Sequence, residues 1–431
     1  MMFDKKPHYA LVFSGGGAKG AYEIGAWKAL RELNIKINAV CGASVGALNA
    51  AFVAQDDFEL ALRVWSNLTI DQVVDVPAKM LKNGKLKFSL KSLSRIGEFN
   101  LDFKNLGLNP RPLQDLLKAE VREDLIRRSE IDLGIVTVKA GILKPCEIYL
   151  DDMPYGTLPD YLLASASFPA FRRAEINGKH FIDGALHDNI PHAMMKSRGY
   201  RKIIVIDVSG FGVNKRPDVT GTETIYIKTS IPLGNVLDFN PAKATVAMNA
   251  GYLDTMKVYE KNDGLNYFIL RDHGIEDDYM RRLLNPEYIA GYSRFLKLNG
   301  RKCIPENAAA LVREIMPAGQ RSNRNLILCL VESAAAALDI DRNRLYKLSD
   351  LIEKIQNKYA DIMQSGTVPS KKESESFFKM IEHTISLFVS ERELSDYSPY
   401  EYAKIMRSSR AVENLFPELA SAEILLSLIN R

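Results

Sequence analysis

Five residues, Gly42-Ala43-Ser44-Val45-Gly46, constrain the fold more than any other stretch of the chain. They join an apolar run from Ile37 to Cys41, which reads as a buried strand, to an alanine-rich run from Val45 to Ala54, which reads as a helix. A serine between two glycines at such a junction sits on a sharp, strained turn. The turn pushes its hydroxyl outward, and the helix N-terminus behind it favours negative charge. Ser44 is therefore a candidate nucleophile, held by Gly42 and Gly46. Ordinary glycine-rich turns share this pattern, so the assignment needs support from elsewhere in the chain.

Support comes from upstream. The run His8 to Phe13 reads as a short buried strand that breaks into Ser14-Gly15-Gly16-Gly17-Ala18-Lys19-Gly20 before a helix to about Leu33. Such a loop aims several backbone N–H groups at one point, which suits an anion. Gly15-x-Gly17-x-x-Gly20 satisfies the dinucleotide-binding fingerprint, which makes a dinucleotide-binding oxidoreductase one alternative. That reading requires an Asp or Glu at the end of the second strand, where Asn38-Ala39-Val40-Cys41 instead runs into the serine turn. A nucleotide P-loop requires Lys-Ser or Lys-Thr after Gly20, where Ala21-Tyr22 stands. The remaining anion is the transient oxyanion of acyl transfer, with Lys19 either positioning an anionic group or solvating the first helical turn.

A third signal is Lys179-His180-Phe181-Ile182-Asp183-Gly184-Ala185, a strand that delivers Asp183 into a glycine turn, followed by Asn189-Ile190-Pro191. Taken in order, the glycine loop, the Gly-x-Ser-x-Gly turn and the Asp-Gly-Ala block with Asn189-x-Pro191 resemble the patatin-like phospholipases over roughly residues 7 to 300. The small-residue block from Ala164 to Phe171 is similar too, although Arg172-Arg173 stand where that family commonly has prolines. The resemblance implies a three-layer α/β/α sheet domain and a Ser-Asp dyad. It casts Ser44 as nucleophile, Asp183 as base and the Gly15, Gly16 and Gly17 backbone as oxyanion hole, with no metal and no cofactor.

An ordinary carboxylate is a weak base for a serine hydroxyl, so burial of Asp183 and strong oxyanion stabilisation must compensate, and esters suit such a site better than amides. A histidine base is the competing arrangement, since His180, His187 and His192 all lie close to Asp183 in sequence. On a strand, His180 is an odd number of positions from Asp183 and faces the other way.

Strand-like runs at 8–14, 37–41, 131–138, 145–150, 179–183, 202–208 and 223–228 alternate with helical stretches, which favours a mixed or parallel sheet with helices on both faces. Near Ile304 the strand signals stop, and helical patterns continue over 308–315, 326–338, 344–363, 373–388 and 418–429. The expected organisation is a catalytic domain over 1–303 and a helical C-terminal domain or cap over 304–431. The stripe Leu345, Leu348, Leu351 and Ile352 reads as core.

A net charge of +4 is too small to imply nucleic acid, and no run resembles a recognition module. The four cysteines have no metal or redox spacing, no apolar leader precedes the first strand, and no run is long enough to span a bilayer. These features point to a cytoplasmic protein, or one peripheral at a membrane. Six cations and no acid between Val76 and Gly97, interleaved with apolar residues, form a candidate contact with anionic lipid or a solvated lid over the site. The expected function is a serine acyl hydrolase cleaving esters of phospholipids, lysophospholipids or related acyl lipids. A catalytically silent lipid-binding or interaction module is the further alternative. Oligomeric state is not legible.

Overall fold

The computed structural model describes residues 8–75, 81–82, 85–86, 107–293, 300–315, 325–365, 424–425 and 428. Contacts divide the chain into two compact units, Met1–Tyr259 and Glu260–Arg431. This division falls earlier than the change of sequence character near Ile304. The helices His273–Leu284 and Pro286–Tyr292 pack with Pro305–Ile315 and so group with the second unit.

The first unit is built on an eight-stranded mixed sheet. Its strands are β1 (His8–Phe13), β2 (Lys36–Ala43), β5 (Asp132–Lys139), β6 (Lys144–Tyr149), β7 (Ala174–Ile176), β8 (Lys179–Asp183), β9 (Lys202–Asp207) and β10 (Glu223–Lys228). Two-residue strands β3 (Leu81–Lys82) and β4 (Lys85–Leu86) form a separate antiparallel pair. The sheet runs β10-β9-β1-β2-β5-β8-β7, with β6 on the other edge of β5. From β10 to β5 neighbours are parallel, whereas β6, β7 and β8 pair antiparallel.

Alternation along the central strands divides the core. Leu11, Phe13 and Val40 belong to the large cluster with helices α1 (Ala21–Glu32), α2 (Val45–Ala54) and Pro241–Val258, while Ala10, Val12, Ala39 and Cys41 pack with Met194 and Met195 of the helix His192–Ser197. A sheet covered on both faces is buried throughout its centre, which is why β1 and β9 read as continuous apolar runs.

The second unit has its own core, centred on the helix Leu326–Ala337 and on Leu348, Leu351, Ile352 and Ile355. Within it, β11 (Phe268–Leu270) pairs parallel with β12 (Leu345–Lys347). The expected helix from 344 therefore begins only at Leu348: pairing with β11 draws Leu345 to Lys347 into a strand and leaves Leu345 exposed. Helices expected over 373–388 and 418–429 lie outside the described residues, apart from 424, 425 and 428, which are helical and buried. The basic stretch 76–97 lies outside them as well, except for the pairing of β3 and β4. Among the described residues no helix is long and apolar enough to cross a membrane.

Candidate active site

Strand β5 brings the two candidate residues together. Ala43 at the end of β2 pairs with Val136, and Asp183 at the end of β8 pairs with the next residue, Thr137. Ser44 follows Ala43, so the parallel and the antiparallel neighbour of one strand end side by side. The Ser44 hydroxyl donates to Asp183 Oδ2 at 2.8 Å.

Ser44 has φ 54°, ψ −130°, a left-handed backbone rare for a side-chain-bearing residue. The tightness of the turn accounts for its glycines. A Cβ on Gly42 would lie 2.2 Å from the Gly46 carbonyl carbon, and one on Gly46 would lie 2.6 Å from the Ser14 carbonyl oxygen. Two further hydrogen bonds fix the elbow: the Ser44 N–H donates to Ser165 Oγ at 2.9 Å, and the Ser165 hydroxyl donates to the Val136 carbonyl at 2.6 Å. The small-residue block around Ser165 is visible in the sequence, but this task is not. Its small, polar and buried residues were the available signal.

Asp183 is buried, with 3% of its surface exposed. Its Oδ1 accepts the Ala185 N–H at 2.8 Å, and its own N–H donates to the Ser167 carbonyl at 3.0 Å. Burial pushes its carboxyl up to about 7, against the opposing pull of the Ala185 amide and the Ser44 hydroxyl. That shift brings a carboxylate into the range where it accepts a proton usefully near neutrality.

The glycine loop lies against the serine. A Cβ on Gly15 would lie 3.1 Å from Ser44 Cβ and 2.4 Å from Asn189 Oδ1. The Gly15 N–H donates to the Asn189 carbonyl at 3.1 Å, which removes it from the three expected oxyanion donors. No bond within the described structure occupies the Gly16 and Gly17 amides. Gly17 has φ +55°, and a Cβ there would lie 2.1 Å from the Val236 carbonyl oxygen. Lys19 does not point into the site. Its Nζ donates to the Ser209 carbonyl at 2.8 Å, tying the loop to the chain that leaves β9.

The three histidines are engaged elsewhere or face away. His192 Nε2 lies 3.1 Å from Thr224 Oγ1, and His187 Nε2 lies 3.3 Å from Lys215 Nζ and 3.6 Å from Glu147 Oε1. His180 sits on β8 opposite Glu175 and is bonded to neither Ser44 nor Asp183.

From the dyad a cavity of about 970 Å³, open space at its mouth included, runs along α2 past Val45, Leu48 and Phe52 to Leu113, Leu116 and Leu117. Gly16 and Gly17 line it on one side, and Phe168, Phe171 and Phe211 line the other. Its few polar residues include Asn49, Glu120, Ser44 and Asp183. Asn49 belongs to a buried network missed in the sequence. It accepts from Trp65 Nε1 at 2.8 Å and donates to Glu23 Oε2 at 2.7 Å and to the Gly20 carbonyl at 3.0 Å, joining three helices behind the glycine loop. Burial pushes the Glu23 carboxyl up. Among the described residues no three His, Cys, Asp or Glu side chains gather as a metal ligand set.

Residues 11–196 match the patatin-like phospholipase family model. The chain is 25% identical over 203 residues to patatin-like phospholipase domain-containing protein 7 of Rattus norvegicus, covering 46% of this chain and 13% of that protein. It is 26% identical over 225 residues to neuropathy target esterase sws of Drosophila melanogaster, covering 51% of this chain and 14% of that protein. The match to these relatives thus spans only a small part of their length. A crystal structure of VipD from Legionella pneumophila is 16% identical with a TM-score of 0.34, covering 98% of this chain and 90% of that one.

Proposed function

With residues 11–196 similar to the patatin-like phospholipases, we propose that this chain is a serine hydrolase of acyl lipids in which Ser44 and Asp183 form the catalytic dyad. The observation that carries the reading is the 2.8 Å hydrogen bond from a serine on a strained turn to a buried carboxylate, at the base of an apolar cavity. An acyl chain fills the cavity along α2 and brings its ester carbonyl to Ser44. Asp183 takes the hydroxyl proton as Ser44 Oγ attacks, and the carbonyl oxygen, now negative, receives the Gly16 and Gly17 N–H groups. Collapse of this intermediate expels the alcohol, which takes the proton from Asp183. Water then attacks the acyl-serine by the same route and releases the fatty acid. Each step uses groups of this chain and water alone.

Phospholipids, lysophospholipids and related acyl esters are the substrate class, reached from the aqueous side of a membrane. The cavity supports this choice because its lining offers an acyl chain many apolar contacts and few polar ones. The dinucleotide reading loses support for the same reason, and because β2 ends in Cys41-Gly42-Ala43 without the acid that would hold a ribose.

The test is product analysis by mass spectrometry after incubation with a mixed membrane lipid extract, alongside labelling by a serine-directed fluorophosphonate. Free fatty acid and a labelled Ser44 are the expected result. Ser44→Ala abolishes labelling and lowers ester hydrolysis by about three orders of magnitude or more while leaving the fold intact. Substantial turnover by the folded Ser44→Ala protein would refute the assignment.

A further inference from the structure

Strands β5 and β8 do more than end at the dyad. Past Thr137 and Asp183, β5 continues to Lys139 and turns through Ala140-Gly141-Ile142-Leu143 into β6, and Ala140 N–H still bonds the His180 carbonyl of β8. Strand β5 itself reaches about 7 Å past the level of Thr137 at the rise of a strand, and the turn stands beyond that, past the catalytic end of the sheet. The β7–β8 turn, Asn177-Gly178, projects from the same end. So does the segment after β9, where Phe211 lines the cavity and is 49% exposed.

Ile142 is 73% exposed and Leu143 is 67% exposed. A hairpin turn ordinarily takes Gly, Asn, Asp or Ser, which supply the needed backbone angles and water contacts. Here two aliphatic residues occupy the apex, and Leu143 does so at φ 49°, a region unfavourable for its side chain. Neither the turn nor the core of the unit accounts for them. Lys139, Lys144 and Lys179 lie near this apex, Lys144 and Lys179 exposed, and none of the three forms an ion pair among the described residues. The acids on the paired strand positions of this end are Glu175, opposite His180, Glu147, opposite Val136, and the buried Asp183.

We propose that the β5–β6 turn is a membrane anchor, with Ile142 and Leu143 entering the headgroup boundary of an anionic bilayer and Lys139, Lys144 and Lys179 resting on its charged surface. Apolar side chains flanked by cations match a lipid interface, in which the first lose contact with water and the second stay at headgroup level. Insertion at this point sets the catalytic end of the sheet, with Phe211 of the cavity lining, toward the lipid. The inference rests on the hydrolase reading for its purpose but not for its test.

The test places Ile142→Trp in the full chain carrying Ser44→Ala, so that no lipid is consumed. The two native tryptophans, Trp27 and Trp65, are buried and give a constant background. With vesicles of equal phosphatidylglycerol and phosphatidylcholine, the introduced indole shifts its emission to shorter wavelength and is quenched by brominated lipid. With pure phosphatidylcholine both effects weaken. In the parent protein, Ile142→Ser with Leu143→Ser lowers partition onto anionic vesicles about tenfold while leaving hydrolysis of a soluble short-chain ester unchanged. An unshifted, unquenched indole on vesicle-bound protein overturns the proposal, as does undiminished binding by the double-serine variant. Loss of self-association by that variant, in a parent that ignores vesicles, overturns it in favour of a protein interface. Failure of the hydrolase reading alone leaves the fluorescence result standing.

Discussion

The carboxyl of Asp183 couples stability to function at a single residue. Its folded value of about 7 lies above the ordinary 3.8 of an aspartate. The folded state therefore holds the proton more tightly than the unfolded chain does. The stabilisation from this group is complete below pH about 4, is lost as pH rises toward about 7, and stays lost above it. Catalysis by the proposed dyad runs the other way, since it needs the ionised form: kcat/KM is expected to rise through an inflection near pH 7 and then level off. Asp183→Asn cannot take a proton from Ser44 and keeps a similar shape, so it should be nearly inactive yet melt at higher temperature than the parent at pH 8. That difference should vanish near pH 4. Equal melting at pH 8 would mean that burial of the charge costs the fold nothing. His180→Ala, His187→Ala and His192→Ala should each retain activity within about tenfold, because none of the three is bonded to either dyad member; a thousandfold loss from any one of them, still folded, would restore a histidine base.

At the scale of elements, the chain's own pattern disclosed most of what positions the site. Gly42 to Gly46 marked the elbow because its glycines are demanded by backbone atoms within 3 Å, and Asp183 was marked by the turn that ends β8. Register was not legible. That Val136 pairs with Ala43 while Thr137 pairs with Asp183 is a fact about three strands far apart in sequence, and no local pattern encodes it. The tasks of Ser165 and Lys19, and the loss of Gly15 as a donor, were hidden for the same reason: each depends on a partner brought by tertiary contact. Among the expected oxyanion donors, Gly17→Ala should lower kcat more than it raises KM, because its N–H acts on charge present only in the transition state. Its positive φ makes a fold check by circular dichroism part of that measurement.

Glu332 gives a second case of an element explained by contact. In the sequence it interrupts an apolar run; in the structure its Oε1 accepts the N–H groups of Leu265, Asn266 and Tyr267 at 2.7, 2.9 and 2.8 Å. Glu332→Ala would leave three amides, the buried one of Tyr267 among them, without that acceptor, a loss on the order of 3 kcal/mol. Glu332→Gln keeps a carbonyl oxygen there and should cost less. Denaturant titration that finds both variants equal would assign the residue to some other task.

For the molecule as a whole, two units each carry their own hydrophobic core. Scanning calorimetry is expected to resolve two transitions. Fluorophosphonate attached to Ser44 should move the one that belongs to Met1–Tyr259, because the adduct contacts only the cavity of that unit. A single transition that shifts as one would show that the two cores melt cooperatively.

Because the proposed dyad is assembled where β2 and β8 meet along one edge of β5, its chemistry also keeps time. Ser44 is brought beside Asp183 only after segments near residues 40, 136 and 183 have paired in the right register, and pairings so distant in sequence are slow to form. During refolding, helical signal should appear first and capture of a fluorophosphonate last. A reactive serine would then count, molecule by molecule, the chains whose strands have found their correct neighbours.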